Sequence, residues 1–174
     1  MLTLESLNAD KPLYVFLAAQ FAEKALPVWE EKYPKDMRPR RAIEAAKEWL
    51  KNPSAAANAA SAAYAAADAA DADAADAAVY ADAAHAAHAA ANAAYAAADA
   101  AVYADAADAA ADYAVYALEA DKESLIHEVI LENLDWILQY KIESGQSFAQ
   151  PELIFDYLDE EKKQSFLFNL DAVA

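Results

Sequence analysis

His85 and His88 stand three residues apart, with Asp82 three residues before them, and on a helix this spacing puts three metal-ligating side chains on neighbouring turns. The set offers no identified fourth ligand. The plainer reading is a pair of structural imidazoles bonding across packed helices, so no metal site is expected and His85 and His88 are its only candidates. His127 lies in another helix and joins them only if the chain folds back. There is no GxGxxG, P-loop, GxSxG or HExxH, and the sole glycine is Gly145, whereas phosphate-cradling loops need several. Carboxylates are so abundant that some pair falls at catalytic distance by accident, so no catalytic residue is assigned. The expectation is a protein without enzymatic activity and without a cofactor.

The acidic residues are placed with more regularity. Asp105, Asp108, Asp112 and Glu119 fall at offsets 0, 3, 7 and 14, one stripe about 21 Å long on an unbroken helix. Asp68, Asp71 and Asp82 form a similar row if no break intervenes. Such rows keep an alanine-rich protein in solution, or they offer an anionic strip to a basic partner. These seven residues are the candidate partner-binding set.

The element that must position them runs from Asn52 to Asp121. Its seventy residues hold 41 Ala, ten Asp, one Glu and six Tyr, with no Lys, Arg or Gly. Alanine is the strongest helix former and the tract holds no proline after Pro53, so helix is predicted throughout it. One helix of that length would extend about 105 Å, while a compact chain of this size is roughly 40 Å across. The tract is therefore predicted to fold back, with breaks near Asp71 to Asp73 and near His88 to Asn92, where Asp or Asn can cap a new helix. An echo of Tyr64-Ala-Ala-Ala-Asp68 at Tyr95-Ala-Ala-Ala-Asp99 is compatible with duplication and equally with biased composition.

Charge narrows the function classes. Residues 1–51 carry nine basic and eight acidic groups, residues 52–121 none and eleven, and residues 122–174 four and eleven. A surface of that sign repels nucleic acid and anionic membranes, so a charged partner should be a basic protein. The absence of cysteine fits a reducing compartment. The opening residues show no basic region followed by an apolar run, and Asp interrupts every Ala tract before the ~20 residues a bilayer span needs. A cytoplasmic setting is expected. Periodic Thr of the ice-binding kind is also missing, Thr3 being the only one.

Before the tract, Asp10 is a helix cap with Pro12 in the first turn, and Leu13, Phe16, Leu17 and Phe21 mark a buried side. Pro27 predicts a kink or break, and Pro34 ends the element. A second helix follows, with Ile43, Ala46, Trp49 and Leu50 on one face. Arg38, Arg40 and Arg41 at its start oppose the helix dipole, which predicts that this basic corner docks against the acidic helices. The run from Phe21 through Leu26-Pro27, Glu30-Glu31 and Arg38-Pro39-Arg40-Arg41 to Trp49, followed by an Ala tract with His and Tyr, resembles the alanine-rich putative immunity protein family of bacterial polymorphic-toxin loci. The resemblance covers roughly residues 12–121. It implies an inhibitor that captures a toxin or nuclease. The chain departs from that pattern by carrying Asp within the tract where relatives often have Arg, and by its last fifty residues.

After the tract, Ser124 to Ile142 reads as an amphipathic helix stopped by Gly145, Pro151 opens a short helix, and Asp159 caps a last one bearing Phe166 and Phe168. The architecture expected is all-α: a compact multi-helix bundle with a close-packed Ala-rich core, residues 1–174 forming a single helical domain. Within it, residues 1–51 give N-terminal helices, 52–121 the Ala/Asp-rich helices and 122–174 the helices that seal the Ala layer. Three functions follow: an immunity-like inhibitor, a phage-type DNA mimic that blocks a DNA-binding enzyme of a restriction or CRISPR-type system, and a helical scaffold or oligomer.

Overall fold

Among the described residues, the Ala tract forms three α-helices. In a computed structural model that describes residues 1–74, 81–98, 103–160, 162 and 163, the α-helices are α1 (Lys11–Lys32), α2 (Arg38–Lys51), α3 (Ala56–Ala74), α4 (Ala81–Ala98), α5 (Tyr103–Leu118), α6 (Lys122–Glu132), α7 (Leu134–Ser144) and α8 (Pro151–Phe155). No strand occurs among the described residues. The expected break near Asp71 to Asp73 falls beside the end of α3 at Ala74, but the second is misplaced: α4 passes through His88 to Asn92 without interruption and runs to Ala98. Asp and Asn cap helices only where the chain turns, and inside an Ala run the helix propensity of the neighbours prevails.

Contacts divide the chain into two compact units, residues 10–125 and residues 1–9 with 126–174. In the first unit, Asp10 caps α1 by accepting a hydrogen bond from the Leu13 N–H at 3.3 Å, with Pro12 in the first turn. Pro27 does not break α1. It sits on the exposed side, while Ala25, Leu26 and Trp29 around it are buried, and that packing holds the helix together across the missing N–H.

α4 lies among α1, α2, α3 and α5. Its sequence permits this, since Ala86, Ala87, Ala89, Ala90, Ala93, Ala94, Ala96 and Ala97 are all fully buried. A methyl side chain projects little beyond the backbone, so several helices can approach one axis. α3 buries a seam of Ala59, Ala63, Ala66 and Ala70, spaced four, three and four residues apart. α5 buries Ala106, Ala107, Ala110, Ala111, Ala114 and Ala117 and leaves its other face open. It ends at Glu119, which adopts a left-handed conformation (φ 50°), while the Ala120 N–H donates to the Val115 carbonyl at 3.0 Å.

In the second unit the expected long C-terminal helix is two. Asn133 separates α6 from α7: its side-chain amide donates to the Val129 carbonyl at 2.8 Å and competes for the helical acceptor. Gly145 ends α7 in the left-handed conformation (φ 68°). The N-terminal segment is tied to the loop beyond it, because Ser6 O accepts from the Ala149 and Gln150 N–H groups and the buried Lys141 Nζ donates to Asn8 O at 2.7 Å. His127 Nδ1 accepts from the Leu2 N–H at 3.0 Å. Phe166 and Phe168 lie outside the described residues.

Candidate functional site

The predicted acidic stripe is borne by α5. Asp105 and Asp108 are exposed, Asp112 is half-buried, and Glu119 is exposed one residue beyond the helix end. The geometry follows from the i, i+3, i+7 spacing in a helix whose opposite face is alanine packed inward. Asp68 is exposed on α3. The side chains of Asp71 and Asp82 lie outside the described residues. The second row does not exist as one helix face, since Asp68 belongs to α3 and Asp82 to α4.

One lysine modifies the stripe. Lys122, at the start of α6, pairs with Asp108 at 2.9 Å and with Asp112 at 2.7 Å. Burial by itself would lower its pKa, but the hydrogen bonds to Asp112 and Asp108 outweigh that and raise it above the ordinary lysine value. Asp105 and Glu119 therefore stand beside a pair of carboxylates already bridged by a cation of the same chain.

The basic corner finds its partners elsewhere than expected. Arg38 Nη2 meets Asp36 at 2.6 Å, and Arg40 Nε meets Glu30 at 2.7 Å. The hydrogen bond from Arg38 is the main cause that holds the Asp36 carboxyl below its ordinary value. Asp68 reaches Arg38 only through its field. Arg38 and Arg40 are thus satisfied by acids at the α1–α2 corner, which are closer along the chain than the tract, and the aspartates of α5 are left to Lys122 and solvent.

Aromatic rings complete the surface. His88 stacks on Tyr113 with ring centroids 4.9 Å apart, and His85 lies 5.2 Å from Tyr116 and 6.0 Å from Tyr113. Tyr64 of α3 meets Tyr95 of α4 edge-on at 5.5 Å. Tyr116 and Tyr64 remain 59% and 64% exposed. The signal was present in the spacing, for Tyr116 follows Asp112 by one turn and continues the stripe. The two histidines are thus occupied with tyrosine faces. No group of three or more His, Cys, Asp or Glu able to hold a metal occurs among the described residues. Nor is any helix among them long and apolar enough to cross a membrane.

Acidic and aromatic side chains interleaved on exposed helix faces suit recognition of a protein surface, since tyrosine anchors contacts at little entropic cost and carboxylates select a cationic partner. Residues 7–141 match the family model described as Imm-5 like putative immunity protein. No curated protein and no solved structure matches the chain.

Proposed function

We propose, for a chain that belongs to the Imm-5 like putative immunity protein family, that it is a non-enzymatic, stoichiometric inhibitor that neutralises a basic toxin or nuclease through the acidic helical face of α5. Family membership points to an immunity-type role and to a protein partner such as a toxin. The observation that supports the finer reading is the row Asp105, Asp108, Asp112 and Glu119 along the outer face of α5, its middle pair shared with Lys122, with the exposed ring of Tyr116 set into it. A cation on the partner meets carboxylates there that the helix has already aligned, so little ordering is needed on docking.

The reading is tested by co-expressing the chain with the toxin encoded beside it and following growth. Asp105→Asn, Asp108→Asn and Asp112→Asn together should weaken binding by roughly tenfold or more while the melting temperature stays near that of the parent. Undiminished rescue of growth by this triple variant would place the interface on another face.

A DNA mimic is the lesser reading. Helical rows give a charge every 4.5–6 Å of axis, against about 3.4 Å per strand in duplex DNA. The bridging of Asp108 and Asp112 by Lys122 interrupts the row in its middle, which counts against mimicry of a continuous phosphate backbone. A mimic would bind several unrelated DNA-binding proteins and compete with duplex, whereas an immunity protein holds one cognate partner with a slow off-rate.

A further inference from the structure

We infer that the open edge of α4 and the tyrosines flanking it form a cleft for arginine side chains of the partner, so that the protein reads guanidinium groups in preference to positive charge in general. The inference rests on the immunity-type reading above and narrows it to one chemistry. His85, His88, Asn92 and Tyr95 fall at offsets 0, 3, 7 and 10 and are half-buried, whereas the alanines around them on α4 are buried. They mark one edge of a helix otherwise packed by α1, α2, α3 and α5. Tyr64 approaches that edge from α3, and Tyr113 and Tyr116 approach it from α5. Rings therefore wall it on two sides.

Carboxylates stand next to the rings. Asp112 immediately precedes Tyr113, and Tyr116 lies one turn beyond Asp112, so acid and ring alternate along α5, while Asp68 stands one turn beyond Tyr64 on α3. A bare row of acids would accept lysine and arginine alike. A flat, weakly hydrated guanidinium gains twice here, by stacking on an exposed phenol ring and by pairing its forked N–H groups with the neighbouring carboxylate. An ammonium ion is compact and strongly hydrated, and gains chiefly from charge.

The test uses two synthetic octapeptides, each with four cationic residues in an Ala/Ser background, arginine in one and lysine in the other. Binding to the full chain is measured by fluorescence anisotropy at one ionic strength. The arginine peptide should bind about two- to fivefold tighter per ring engaged. Tyr64→Ala with Tyr116→Ala should abolish that ratio and leave the lysine affinity unchanged, and Tyr116→Phe should preserve it. Asp105→Asn with Asp112→Asn should weaken both peptides equally. Both tyrosines are more than half exposed, and a single cooperative melting transition will show that the variants remain folded. Equal binding of the two peptides, no binding of either, or a ratio that survives loss of both rings would overturn the inference. The growth assay judges the immunity reading separately: rescue with no arginine preference removes the cleft alone.

Discussion

α4 and α5 are written in nearly the same alphabet, yet one is packed by four helices and the other keeps an open face. Alanine does not distinguish them. The difference lies in what occupies every third or fourth position: His85, His88, Asn92 and Tyr95 on α4, and Asp105, Asp108 and Asp112 on α5. An imidazole, an amide or a phenol can be half-buried against a neighbouring helix because it is uncharged, even where, as at His85, one nitrogen is left unpaired. A carboxylate cannot be without a counter-ion. The minority residue thus sets how many neighbours a helix of methyl groups accepts.

The largest effect expected on this contrast comes from bulk. Ala90→Leu on α4, where the native side chain is fully buried, should cost about 1–3 kcal/mol by overpacking. The same change at Ala57, exposed on α3, should stay within about 0.5 kcal/mol. Equal melting temperatures for the two variants would break the contrast. A smaller effect, of opposite sign, is expected at His85, where burial without a hydrogen-bond partner costs stability. His85→Phe should raise stability by about 1 kcal/mol in a thermal melt. An unchanged or lowered melting temperature would mean that the imidazole is satisfied in solution.

The smallest effect concerns α5 and its lysine. Lys122→Met should cost no more than about 1 kcal/mol, because the pairs it makes with Asp108 and Asp112 are partly exposed. Since the folded pKa of Lys122 is raised, this contribution is complete below its ordinary value of 10.5 and fades as pH rises through the higher folded value. Melts of parent and variant should therefore differ at pH 7 and converge only in strong alkali.

The helical class, the Asp10 cap, the Gly145 stop and the shared face of Asp105, Asp108 and Asp112 were legible because each depends on residues within a turn or two of one another. The end of α4 at Ala98 was not. Every stretch of the tract favours helix, so nothing local marks where tertiary packing makes the chain reverse. Ser124 to Ile142 likewise reads as one continuous helix, and the competition at Asn133 that divides it depends on a side-chain amide reaching a backbone carbonyl. Lys122 escaped notice as the neutraliser of Asp108 and Asp112, since its role needs α6 to begin beside α5. The tyrosines of the tract are visible in the sequence, but only the exposure of Tyr64 and Tyr116 and their pairing across helices show them as surface.

Those ring pairs settle a question that a layer of methyl groups leaves open. Slide one alanine helix along another by a turn and alanine still faces alanine, so the bulk of the interface has no means of telling one alignment from the next. His85 opposite Tyr116 and His88 opposite Tyr113 step in unison, three residues up α4 and three down α5, and Tyr64 with Tyr95 does the same work between α3 and α4. They serve as indexing pins on an otherwise featureless rail: a few aromatic contacts choose the one alignment in which the whole structure is singular.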